Sequence, residues 1–349
     1  MNPGNRTPDF VRSNRRATVR RTGLVSLILG GCLLALPGAA GAQGTPIYLW
    51  EFGTSGTGPG QFDWPQSIEF DSNGDVYVSD LNNDRIQKFD AAGNYLSAFG
   101  TNGTGTGQFN APWGFSIAPN GDIFVADTGN NRIQKFSSSH TFLGLFGNMG
   151  TGNGQFSGPR DVSVDPSGNV YVMDFNNHRV QKFTSTGTYI TQWGSLGTGD
   201  GQFTFATGVC AEASGVVYVA DYLNNRIQKF DTSGAFLGKW GSLGIGDGQF
   251  TDPIRIEIAP SGNVYVGDFH NHRVQEFDAN GVFMRKWGSL GTASGQFDHP
   301  AGVAIAPSGL IYVVDQVNNR VQVFDEPQVG VQSNLEPATW GRIKAGYRE

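Results

Sequence analysis

One ten-residue phrase, Asp80-Leu-Asn-Asn-Asp-Arg-Ile-Gln-Lys-Phe89, constrains the fold of this chain more than any other feature, because it recurs five more times at intervals of 47 residues. Its Asp returns as Asp127, Asp174, Asp221, Asp268 and Asp315. The Arg five places on appears as Arg85, Arg132, Arg179, Arg226, Arg273 and Arg320. The Asn three places on (Asn83, Asn130, Asn177, Asn224, Asn271, Asn318) and the Phe nine places on (Phe89 to Phe324) also keep their spacing. Repetition at this period means a solenoid, a propeller or an array of small modules. The chain has 349 residues, enough for two domains, but six copies of one unit fill almost all of it and favour a single repeat domain.

The unit reads as four short strands. In the second copy they are Gly114-Phe-Ser-Ile-Ala118, Ile123-Phe-Val-Ala-Asp127, Ile133-Gln-Lys-Phe136 and Phe142-Leu-Gly-Leu-Phe146. The 51 glycines and 25 phenylalanines suit this pattern, since glycine supplies turn dihedrals and aromatics pack well on pleated surfaces. A glycine-rich loop closing on Gly-Gln-Phe (Gln61, Gln108, Gln155, Gln202, Gln249, Gln296) joins one unit to the next. No Gly-Lys-Ser/Thr follows it, so it reads as turn chemistry and not as a phosphate cradle. Asp71-Ser-Asn-Gly-Asp75 lacks the distal Glu of a calcium loop and reads as a hairpin turn. Four antiparallel strands per unit make a propeller blade. The last unit ends after its third strand, Val321-Gln-Val-Phe324, whereas an orphan strand of the fourth type stands at Ile47 to Phe52. The expected fold is therefore all-β, a six-bladed propeller of four-stranded antiparallel blades whose N-terminal strand closes the last blade.

The combination Asp-x-x-Asn-x-Arg-Ile/Val-Gln-x-Phe, preceded by Gly-x-Val/Ile-Tyr/Phe-Val-x-Asp, resembles the NHL repeat over residues 47 to 325. The resemblance implies a six-bladed propeller of the bacterial secreted type. Propellers with this repeat occur in bacterial secreted and receptor-sensor proteins, in peptidylglycine-amidating lyases and in animal tripartite-motif ubiquitin ligases, so it implies fold more than function. No Cys/His-rich module precedes the repeats to carry over a ligase role. The amidating lyases hold metal through channel histidines. Here His140, His178, His270, His272 and His299 fall in loops and turns.

The first 42 residues read as a secretory signal: Arg12, Arg15, Arg16, Arg20 and Arg21, then an apolar run from Leu24 to Leu36, then Ala40-Gly-Ala42. A membrane anchor is disfavoured because the run is short of the ~20 apolar residues a span needs. Lipidation at Cys32, in Leu29-Gly-Gly-Cys32, is the lesser alternative. The expected location is secreted, periplasmic or cell-envelope. The segment holds six Arg and one Asp, so its removal takes the net charge from −6 to −11. An acidic chain argues against a nucleic-acid partner, which needs a basic footprint. Cys210 would be the one remaining cysteine, so no internal disulfide forms and a monomer is expected to stand on its core alone. Residues 43–326 are assigned to the propeller and 327–349 to a linker with a basic-aromatic tail, Thr339 to Arg348.

Residues present in every copy are read as architecture: each Asp pairs with its Arg, as Asp127 with Arg132, and each Asn bonds its own loop backbone. Function is then expected where the copies differ. At the entrance to the first strand the copies carry Gln66-Ser67, Trp113-Gly114, Arg160-Asp161, Thr207-Gly208, Ile254-Arg255 and Ala301-Gly302. After the repeated Asp they carry Leu81, Thr128, Phe175, Tyr222, Phe269 and Gln316. These columns nominate a ligand-binding face of Trp113, Arg160, Asp161, Tyr222, Arg255, Phe269 and His270. Further along the first strand stand Glu69, Ser116, Ser163, Cys210, Glu257 and Ala304. Glu69, Asp161 and Glu257 are the candidate ligands for a divalent cation in the channel; the competing reading pairs Glu257 with Arg255 and assigns no cofactor. No Ser-His-Asp or Cys-His arrangement can be assembled, and Cys210 reads as a small buried side chain. The expected function is an exported, non-catalytic propeller that binds a peptide, glycan or protein. The alternative is a metal-dependent propeller lyase or hydrolase.

Overall fold

The computed structural model describes residues 44–325; the secretory-signal, Cys32 and C-terminal-tail expectations lie outside the described residues. Within them the chain forms six four-stranded antiparallel sheets. Blade one consists of Pro65–Phe70, Val76–Asp80, Arg85–Phe89 and Tyr95–Phe99, and the later blades repeat this order. The second strands, such as Val76–Asp80 and Ile123–Asp127, are buried along their whole length, which is why they read as continuous Val/Ile/Tyr/Phe runs without alternation. Between first and second strands Asp71 makes the turn: its Oδ1 accepts the N–H groups of Asn73 and Asp75, as the hairpin reading requires. No helix of the described residues is long and apolar enough to cross a membrane.

The first strands form the inner ring. Pro65–Phe70, Pro112–Ile117, Pro159–Val164, Gly208–Ala211, Pro253–Ile258 and Pro300–Ile305 touch one another in sequence, and the last touches the first. The apolar core is correspondingly divided into six seams between neighbouring blades. One seam packs Phe109, Phe115 and Phe136 of blade two on Tyr77 of blade one, and another packs Phe52, Phe62 and Phe89 on Tyr312 of blade six. Gly100 shows why glycine follows each fourth strand: at φ +97° it lies against the Phe109 ring, where a Cβ would collide.

Ring closure is carried by the N-terminal strand. Ile47–Phe52 pairs antiparallel with Arg320–Asp325, with Ile47 opposite Asp325 and Phe52 opposite Val321, as the sequence predicted. Glu51 Oε2 takes up Arg320 Nη1 at 2.9 Å. The equivalent nitrogen of Arg85 or Arg132 instead donates to a loop carbonyl, Thr57 or Thr104.

The repeated polar residues form one lock per blade. Asp127 is fully buried and accepts from Asn110 N–H, Asn130 Nδ2, Arg132 Nε and Gln134 Nε2. Arg132 spends its remaining donors on the carbonyls of Thr104, Gly105 and Gln108. The Asp–Arg pairing expected from sequence is present in all six blades. The Asn expectation needs correction. Asn130 donates to the Asp127 carboxylate and to Gly103 O in the preceding interblade loop, not to its own loop backbone, because the buried carboxylate is the stronger acceptor within reach.

A second repeated bond joins neighbouring blades. The residue between the Asn and the Arg is left-handed in every copy (Asp84, Asn131, His178, Asn225, His272, Asn319; φ 52–54°), a conformation that Asn, Asp and His tolerate best. Its side chain accepts the backbone N–H that opens the next blade: Asp84 from Ala111, Asn131 from Gly158, His178 from Phe205, Asn225 from Asp252, His272 from His299 and Asn319 from Trp64. The last of these closes the circle.

Candidate ligand-binding face and channel

The loops between second and third strands and those between blades meet on one face, since the same locks bind both. Arg160 stands at the entrance of the third first-strand, with its guanidinium 4.2 Å from the Trp113 ring centre and 3.4 Å from that of Phe175. Among the described arginines, Arg160 is the one without a carboxylate partner. Burial pushes its pKa down to about 10. The two rings thus hold a desolvated cation in a fixed orientation, each contact contributing ~0.5–2 kcal/mol. Tyr222 couples electrostatically to Arg160 on one side and to Asp252 on the other, and burial raises its hydroxyl pKa. Gln66, in the same column as Arg160, is fully buried with neither amide atom bonded to protein.

Trp113, Arg160 and Tyr222 therefore gather as the sequence suggested, with two additions. Phe175 stands in the sequence only as one variable position after the repeated Asp. Phe205, 5.0 Å from Phe175 and 4.6 Å from His178 between ring centres, belongs to a further variable column, the left-handed positions Trp64, Ala111, Gly158, Phe205, Asp252 and His299. The variation of that column between copies is the sequence signal that marks it. Phe269 and His270 sit further round the face. His270 Nδ1 is 2.7 Å from Asp252 Oδ2, and Phe269 packs on His299 at 4.5 Å.

Asp161 and Arg255 are not at the mouth. Both are buried in the channel, where Asp161 Oδ1 meets Arg255 Nη1 at 2.8 Å across the intervening blade four. Gly114 and Gly208 keep this room open: a Cβ on Gly114 would fall on Asp161 Oδ1, and one on Gly208 would stand 2.8 Å from Ile254 O. Asp161 also accepts the N–H groups of Val162 and Val209. Ser116 and Ser163 likewise accept from Val164 and Ala211. The first strands are edges, and in blades three and four side chains of the preceding blade satisfy unpaired N–H groups.

Glu69 Oε1 lies 3.9 Å from Arg255 Nη2. Burial, only partly offset by Arg255 and reinforced by Asp161, pushes Glu69 up to about 7. Glu257 is raised well above the carboxylate range by burial and by Glu69, and the Cys210 thiol is raised by burial and by Glu257. The three carboxylates named as cation ligands thus do converge, but around a guanidinium. Asp161 already has its acceptors filled, so the group fits a cation poorly unless Arg255 moves away.

These features can be set beside known proteins. The NHL repeat model matches residues 62–89, 109–136, 156–183, 203–230, 250–277 and 297–324. Human NHL repeat-containing protein 3 is 50% identical over 44 residues, which is 13% of this chain and 13% of that protein's length. A streptogramin B lyase structure superposes with a TM-score of 0.57 at 14% identity, covering 81% of this chain and 98% of that one. Virginiamycin B lyase from Staphylococcus aureus gives 0.53 at 14%, covering 74% and 80%. A Bacteroides thetaiotaomicron protein of unknown function gives 0.60 at 16%, covering 78% and 74%. At such identities the likeness concerns the fold alone. With six matched repeats on six closed four-stranded blades, the chain belongs to the NHL-repeat β-propellers.

Proposed function

We propose that this chain is an exported, non-catalytic binding propeller that captures a peptide, glycan or protein partner on its loop face through an anionic group. The observation that carries this reading is Arg160, an unpaired, partly desolvated guanidinium held against Trp113 and Phe175. Aromatic and arginine anchors in such settings carry most of the energy of an interface. Trp113→Ala and Arg160→Ala should each weaken capture of hits from a peptide or glycan array by roughly 30-fold, corresponding to about 2 kcal/mol. Their melting temperatures should stay near that of the parent. Full affinity in both variants would remove the site from this face.

A second reading, a propeller lyase or hydrolase working in the channel, draws support from Glu69, whose pKa near 7 suits proton transfer at neutral pH. Two of the similar structures are a streptogramin B lyase and a virginiamycin B lyase. Its metal-dependent form requires a cation that disappears when Glu69 and Glu257 are both changed to Gln. Elemental analysis of parent and double variant checks this, and equal metal content in the two would end it.

A further inference from the structure

The seam between blades five and six differs from the other five in one chemical respect. At the left-handed clamp position and the two residues opposite it, the seams read Asp84/Asn110/Ala111, Asn131/Ser157/Gly158, His178/Thr204/Phe205, Asn225/Thr251/Asp252, His272/Asp298/His299 and Asn319/Asp63/Trp64. Only the fifth places three strong metal-ligating side chains together. Among the described residues, His272, Asp298 and His299 are the one group of three whose ligand atoms all lie within 4.8 Å of each other. Asp298 Oδ1 is 2.7 Å from His299 Nδ1 and 3.6 Å from His272 Nδ1. Bonds of ~2.0–2.1 Å in tetrahedral array put neighbouring ligand atoms about 3.3 Å apart, so these two separations bracket a tetrahedral edge.

We propose that the blade five/six seam is a zinc site in which His272, Asp298 and His299 supply three ligands. Two nitrogens and a carboxylate oxygen suit zinc and other late first-row divalent ions better than magnesium or calcium. The arrangement is pre-formed. His272 is held by its left-handed backbone, and Asp298 and His299 by the start of the first strand Pro300–Ile305. His270 stands 5.1 Å from His299 between ring centres, and with its Nδ1 engaged by Asp252 its Nε2 is the nitrogen left to complete the shell. Phe269 covers one side of His299. His272 Nδ1 accepts the His299 N–H at 3.2 Å, so zinc would replace that clamp bond with a stronger link across the seam.

The test uses untagged full-length chain, stripped with chelator and titrated with Zn²⁺ in competition with a chromophoric chelator. Stoichiometric binding tighter than about 1 µM is expected, with a melting temperature that rises with zinc concentration. His272→Asn preserves the clamp, because Asn fills this position in three other seams, and should weaken binding by at least roughly 100-fold while leaving the metal-free melting temperature unchanged. His299→Ala should do the same to binding. Absence of tight binding in the parent, or unchanged affinity in His272→Asn and His299→Ala, would overturn the site. So would loss of binding on Glu69→Gln with the histidines intact, since that places the metal in the channel.

Discussion

At the residue scale the structure separates side chains that hold the ring from those available to a partner. Asp127 shows the first kind: a carboxylate with no exposed surface and four protein donors, whose removal strands Arg132 and opens the loop. Asp127→Ala should cost about 3–5 kcal/mol, read as a lower urea midpoint. His178 is a titratable member of the interblade clamp column, packed beside Asp174 and Asp221. Burial lowers its pKa below 6.5, so the folded chain takes up its proton later than the unfolded chain as pH falls. Its contribution to stability is full above pH ~6.5 and declines as pH drops from there through the lowered value. His178→Asn keeps the acceptor, as Asn131 and Asn225 do, and should remove that part of the acid loss. Melting curves of parent and variant between pH 5 and 8 check it; parallel profiles would refute it.

At the scale of elements, the closing strand Ile47–Phe52 makes blade six from two distant parts of the chain. Deleting it would expose the Arg320–Asp325 edge and uncover Phe62 and Phe89 in the blade six/one seam. The expected outcome is a lower melting temperature and concentration-dependent association, because an unpaired apolar edge recruits other strands. Light scattering with thermal melts measures both. The glycine-rich interblade loops behave as part of this architecture. Their carbonyls are the acceptors of the repeated Asn and Arg, which is why a loop so rich in glycine stays ordered.

At the scale of the molecule, the channel is where blades one, three, four and five place Glu69, Asp161, Cys210, Arg255 and Glu257 against one another. Glu69 keeps its proton to about pH 7 in the folded chain and releases it near 4.5 when unfolded. Its contribution is therefore full below pH ~4.5 and is lost as pH rises through 7, the opposite sign to His178. The stability difference between parent and Glu69→Gln should shift in favour of the variant across that window. A pH-independent difference would count against the raised pKa. This convergence was only partly legible in the chain. Position along the first strand places Glu69 and Glu257 further in and Asp161 and Arg255 at the entrance, because a column of aligned residues carries no depth and no partner from two blades away. Repetition by itself determined blade number, strand order, ring closure and the Asp–Arg locks, since each depends on local residues recurring at a constant spacing. Only the closed ring decided that Asp161 meets Arg255 across 94 residues, that Arg160 lies against Trp113 and Phe175, and that His272 faces Asp298 and His299. Those contacts cross seams between blades, where the side chain supplied by each neighbour is set by curvature and stagger and not by any period in the chain.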